Sequence, residues 1–136
     1  MTLFTSNYAR HGKDPNAVCI SIKPIWWFKG RCYYPLAPTW DIVLGHKKGE
    51  IDDKGYTTEY LKILAKLDPK KVVEDLGDGA IMLCYESPKD FCHRHIVAHW
   101  LNKELNLGVD EIFFIQQREK ERKEFEAKID YSLIEF

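Results

Sequence analysis

Apolar positions recur along this chain on two periods. Tyr56, Tyr60, Ile63, Leu64 and Leu67 fall at helical spacings and predict a helix over 56–67. Pro69 suits the first turn of a second, shorter helix reaching Leu76. At about 100° per residue, Ile96, Val97, Trp100, Leu101 and Leu105 form one apolar arc, so Cys92 to Leu105 reads as a third helix, closed by Asn106-Leu107-Gly108. Short apolar runs read as strands: Leu3 to Thr5, Val18 to Ile22, Ala80 to Tyr85 after a Gly77-Asp78-Gly79 turn, and Ile112 to Ile115. Gln116 to Lys128 alternates charges with little apolar face, the pattern of a solvated helix at about 116–128. Tyr131 to Phe136 is left open between packing back and meeting a partner.

Strands alternating with helices predict a small, mostly parallel α/β sheet with flanking helices, in a single domain over 1–136. Between Lys23 and Lys54 the periodicity is lost. Pro24, Pro35, Pro38 and three glycines interrupt a run rich in Trp and Tyr. This long aromatic and Pro-rich loop reads as a packed lid, since its aromatic content argues against disorder. No internal repeat or low-complexity linker occurs.

Composition narrows the class. Hydrophobic residues are 45% and charged residues 30%, an ordinary globular balance. The net charge of −1 advertises no nucleic-acid-binding field, so nucleic acid is not indicated and any anion binding must be local. No apolar stretch approaches the roughly 20 residues that cross a bilayer, and Met1 to Phe4 does not open a signal peptide. The expectation is a cytoplasmic protein in which Cys19, Cys32, Cys84 and Cys92 are reduced thiols.

Candidate chemistry gathers in Cys84-Tyr85-Glu86-Ser87-Pro88-Lys89-Asp90-Phe91-Cys92-His93-Arg94, where a strand ends, a loop turns and a helix begins. Ligand sites in parallel sheets lie beyond the carboxyl ends of strands, and unpaired N–H groups of a helix start favour an anion or a thiolate. Cys92 at that start is a candidate nucleophile with a lowered pKa. His93, in the first turn, is expected to reach the strand-end cleft or to be a satisfied core histidine. His95 and His99 fall on the polar face. Glu86 suits a general base, a hydroxyl acceptor or an ion-pair partner of Arg94. Arg94 is expected to meet phosphate or carboxylate, so that Arg94→Ala weakens binding and spares the fold.

Cys-x-Glu followed by Cys-His-Arg, here Cys84, Glu86, Cys92, His93 and Arg94, resembles the signature of the family catalogued as domain of unknown function 488. Ser6-Asn7-Tyr8-Ala9-Arg10 and the stretch from Gly30 to Trp40, including Arg31 and Tyr34, are similar to subsets of that family, so the resemblance spans roughly residues 3 to 115. Many relatives carry an Asp-Val-Arg-like run where this chain has Ser21-Ile22-Lys23; the cation persists at Lys23 and the acid does not. The resemblance implies an α/β fold and a shared pocket, and supplies no reaction.

Four functional readings follow. In the first, Arg10, Lys23, Lys29, Arg31 and Arg94 hold a small anionic ligand, nucleotide-like or phosphorylated, on which an enzyme or sensor acts; Ser6, Asn7, Tyr8, Tyr34 and Trp40 complete the binding set, and Trp26 and Trp27 join the aromatics available to stack on a base. The second is a zinc site at Cys84, Cys92, His93 and Glu86, disfavoured because seven residues separate the cysteines. The third is thiol chemistry, by nucleophilic attack or a reversible Cys84–Cys92 disulfide; the phosphatase order of Cys, five residues, then Arg fails at Asp90. The fourth is a non-catalytic binding protein that sequesters a metabolite or docks onto a partner. Cofactor, metal content and oligomeric state are not legible.

Overall fold

A computed structural model describes residues 1–129 and 132. The elements, in chain order, are β1 (Phe4–Asn7), α1 (Tyr8–His11), β2 (Ala17–Cys19), β3 (Arg31–Cys32), a 3₁₀ turn (Tyr34–Leu36), α2 (Trp40–Lys47), α3 (Asp53–Leu64), α4 (Pro69–Leu76), β4 (Ile81–Cys84), α5 (His93–Leu105), β5 (Asp110–Glu111) and α6 (Ile112–Ala127). The five strands form one sheet in the order β3-β2-β4-β1-β5, and every pairing is parallel. This is the small parallel α/β sheet expected from the alternation of periods.

Side chains alternate across the sheet. Val18 and Met82 face a core built with Tyr60, Leu64, Val72, Leu76, Val97 and Leu101 from α3, α4 and α5. Ala17, Cys19, Ile81 and Leu83 face a smaller cluster with Tyr8, Trp27, Phe28 and Ile112. β4 lies between β1 and β2 and is buried throughout, as its apolar run requires. Asn7 pairs with Cys84, and Cys19 with Leu83, so β1, β2 and β4 end at one edge.

Helix starts follow local chemistry. The Asp68 side chain accepts from Lys70 N ahead of Pro69 in α4, and Asp52 accepts from Gly55 N at 2.7 Å, starting α3 three residues before Tyr56. Asn106, the first residue of the expected Asn106-Leu107-Gly108 stop, ends α5 in the left-handed region at φ 53°.

Two expectations need correction. The segment from Lys23 to Lys54 is not one long loop: it holds β3, the 3₁₀ turn and all of α2, which begins where the Thr39 hydroxyl accepts from Ile42 N. Its aromatics also divide, for Trp26 is 92% exposed. The run Ile112 to Ile115 is not a strand but the first turn of α6; the strand is the polar pair Asp110–Glu111. Short apolar runs suit either element, and here the following helical residues extend backwards into the run. The remainder of α6 matches the solvated helix expected at 116–128, with no fully buried residue. The Tyr131 to Phe136 segment, apart from Ser132, lies outside the described residues. Among the described residues, no helix is long and apolar enough to cross a membrane.

Candidate functional site

Beyond the carboxyl ends of β2 and β4 lies a cavity of about 390 Å³. Ser21, Ile22 and Lys23 line it after β2; Cys84, Tyr85 and Glu86 line it after β4. Cys92 and His93 close it at the start of α5, and Trp40, Val43, His46 and Lys47 form a wall along α2. The Tyr85 hydroxyl donates to Lys23 O at 2.7 Å and ties the two strand ends together. Asn7 Nδ2 donates to Glu86 O at 3.2 Å and anchors the loop from β1.

The floor holds the reactive side chains. Cys84 and Cys92 are joined in a disulfide, with the two residues 1% and 4% exposed; Cys19 and Cys32 are free. The expectation of four reduced thiols therefore fails for this pair. It rested on the absence of an export signal, whereas pairing is decided by which sulfurs the fold brings together: β4 ends and α5 begins with a cysteine each, on either side of one turn.

His93 is both a core residue and a cavity residue. Its ring packs edge-on against Tyr60, with centroids 5.4 Å apart, and Nε2 lies 2.8 Å from Ile20 O. A carbonyl only accepts, so Nε2 carries the hydrogen and the neutral ring presents Nδ1 as a lone pair, 3.8 Å from Cys92 Sγ. Burial pushes the His93 pKa down to about 4, and the Arg94 and His95 charges add to this against the pull of the Ile20 carbonyl.

Arg94 does not reach the ligand space. It is 0% exposed; Nε and Nη2 form a bidentate pair with Glu111 at 3.0 and 2.9 Å, and Nη1 donates to Cys84 Sγ at 3.1 Å. Thr5 Oγ1 also donates to Glu111 at 2.7 Å. Burial alone would raise the Glu111 carboxyl, but hydrogen bonds from Arg94 and Thr5 outweigh it and hold the pKa below the usual range. The partner of Arg94 is thus Glu111 and not Glu86. A buried guanidinium needs a carboxylate at bidentate distance, and the strand next to β1 supplies one.

Of the residues expected at the site, Lys23, Trp40, Cys84, Glu86, Cys92 and His93 line the cavity. Three others, on β1 and α1, line no part of it. Asn7 caps α1 and holds the Glu86 carbonyl, Tyr8 hydrogen-bonds Ser21 through its hydroxyl at 2.6 Å, and Ser6 bonds His11 at 2.5 Å. Arg10 lies over the Phe113 ring, 4.4 Å from its centroid. Arg31 points to the opposite edge of the sheet, donating to the carbonyls of Asp75 and Leu76 at the end of α4. Tyr34 is exposed on the 3₁₀ turn and contributes nothing to the lining. Arg10, Arg31 and Tyr34 therefore line no part of this cavity, since a cation or ring near a motif in sequence joins a site only if the fold turns it that way.

Ser21, His46, Lys47, Tyr56 and Glu111 were missed. His46 is held by Asp53 at 2.6 Å and packs near Tyr56 and Phe91, with ring centroids 5.3 and 5.1 Å away. Burial, with the nearby Glu86 charge, pushes the Tyr56 pKa up. Tyr56 was legible only as part of a helix face, and nothing local marks Glu111.

Cys84, Cys92 and His93 place their donor atoms within 4.8 Å of one another. With the two sulfurs bonded together, however, the trio offers a metal only the His93 nitrogen, so this oxidation state does not fit zinc.

An all-parallel α/β protein carrying a cysteine pair, a histidine and a buried arginine at the carboxyl edge of its sheet is the class that fold and site define. Within that class the chain belongs to the domain of unknown function 488 (DUF488) family: the family model described as DUF488-N3a, active DUF488-N3 subclade, matches residues 27–105. The match takes in α2 and the whole segment from Cys84 to Arg94, but not β1 or Glu111. No significant match exists among curated proteins or among solved structures.

Proposed function

We propose that this chain binds a small anionic ligand, nucleotide-like or phosphorylated, in the cavity beyond β2 and β4, and acts on it as an enzyme. The observation that carries the reading is the make-up of that one cavity. Lys23 and Lys47 supply cations, Trp40, Tyr56 and Phe91 supply ring faces, and Glu86, Cys92 and His93 line the same cavity. A volume near 390 Å³ is in the range of small-molecule sites. The first-turn amides of α5, whose N-cap Cys92 makes no side-chain cap, add a favourable end for negative charge. Reactive side chains at the ligand wall favour an enzyme over a sequestering protein, which needs none.

Adenosine 5′-monophosphate, adenosine and inorganic phosphate, titrated separately against tryptophan fluorescence, test the proposal. The monophosphate is expected to bind more tightly than either fragment. Stacking is worth about 1–3 kcal/mol per base, so Trp40→Ala should weaken it by about tenfold. Lys23→Ala should weaken the monophosphate and leave adenosine unchanged. Equal binding by all three probes, or an undiminished affinity in both variants, overturns the proposal.

A further inference from the structure

We infer that Cys84 and Cys92 form a redox couple that exchanges with a small thiol or disulfide bearing carboxylates, with Cys92 as the exchanging sulfur and Cys84 as the leaving one. The inference goes beyond ligand binding and stands on three separate observations. First, both cysteines line the cavity, so the S–S bond belongs to its wall. Second, Arg94 Nη1 sits 3.1 Å from Cys84 Sγ, at a guanidinium whose other contacts are already taken by Glu111. A neutral disulfide sulfur is a weak acceptor, whereas a thiolate would make a charge-assisted bond with that N–H. The arginine is therefore placed for a charge that exists only when the bond opens. Third, the His93 ring gives its Nε2 hydrogen to Ile20 O and turns Nδ1 toward Cys92 Sγ, an acceptor beside the sulfur under attack.

The exchange balances as follows. A thiol RSH enters, gives its proton to solvent, and as RS⁻ attacks Cys92 Sγ. The Cys84–Cys92 bond breaks and its electron pair leaves on Cys84 Sγ, against Arg94 Nη1. A second RSH, deprotonated in turn, attacks the substrate sulfur of the mixed disulfide and releases RSSR with Cys92 as thiolate. Both protein thiolates then take up protons. Two RSH and one protein disulfide become one RSSR and one protein dithiol, a transfer of two electrons. Run in reverse, the dithiol reduces RSSR. Lys23 and Lys47 on the cavity wall select carboxylate-bearing thiols over neutral ones.

Glutathione and its disulfide are suitable probes. Incubated with glutathione disulfide and mapped by mass spectrometry after acid quench, Cys84→Ser should trap a mixed disulfide on Cys92. It should form at least about tenfold faster than any adduct on Cys84 in Cys92→Ser, because only Cys92 is placed to exchange. Reduced wild-type protein, treated likewise, should instead release two glutathiones and recover the Cys84–Cys92 bond. Should either variant fail to fold, wild-type protein equilibrated in glutathione buffers decides: a folded protein that moves between dithiol and disulfide supports the couple. Three results overturn it: a bond reduced only in denaturant, equal labelling of the two sulfurs, or a reduced protein that retains one equivalent of zinc after dialysis and does not exchange. Monophosphate binding is measured on the same oxidised wild-type sample, so loss of exchange with binding retained rejects the couple alone.

Discussion

His93 shows how one buried ring ties site chemistry to stability. Its folded pKa near 4 lies below the ordinary value of 6.5, because burial disfavours the charged ring. Between those limits the unfolded chain takes up a proton that the folded chain refuses. Stability from this group is therefore full above about pH 6.5 and falls as pH drops toward 4, by about 3 kcal/mol in total and about 2 kcal/mol between pH 7 and pH 5. Urea unfolding at those two pH values should show the loss, and His93→Gln, which keeps a donor for Ile20 O, should abolish most of it. A variant as acid-sensitive as the parent would exclude His93 as the source. The Glu111 carboxyl, held below its usual 4.5, acts in a lower window: its contribution is present above that value and is lost as pH falls through the folded pKa. At Arg94 the structure reverses the expectation drawn from sequence. Arg94→Ala leaves the Glu111 carboxylate buried and unpaired, so the fold should lose about 3–5 kcal/mol. Chemical denaturation showing a loss below about 1 kcal/mol would mean that the pair is solvated in solution.

At the scale of elements, α2 decides the shape of the cavity. The sequence between Pro38 and Lys48 carries no clear apolar stripe, and its one fully buried residue is Ile42. Tertiary packing against α3, together with the Thr39 cap, sustains this helix, so periodicity alone could not reveal it. Thr39→Ala should cost about 1 kcal/mol of helix stability and reduce hydrogen-exchange protection over 40–47, weakening monophosphate binding because Trp40 and Lys47 ride on that helix. Unchanged protection would show that packing alone holds the wall. By contrast α4 and α5 were legible in advance, since Pro69 suits the first turn of one and a full apolar arc marks the other. The turn of α6 at Ile112 to Ile115 was misread for the opposite reason: four apolar residues in a row carry no period.

Across the whole molecule, the parallel order β3-β2-β4-β1-β5 inserts β4 between the first two strands. That placement brings Lys23, in the loop after β2, to Tyr85, just past the end of β4, 62 residues apart in sequence. It also sets Glu111 of β5 against Arg94 of α5, across Thr5 of β1. The sequence by itself determined the α/β class, most element positions, and the concentration of chemistry between Cys84 and Arg94, because these depend on local period, caps and residues close in the chain. Only the tertiary structure decided which cations face the cavity, which carboxylate holds the arginine, and that two cysteines meet. Those choices depend on strand order and on the direction each side chain takes from its strand or helix, and neither is encoded in any short window of residues.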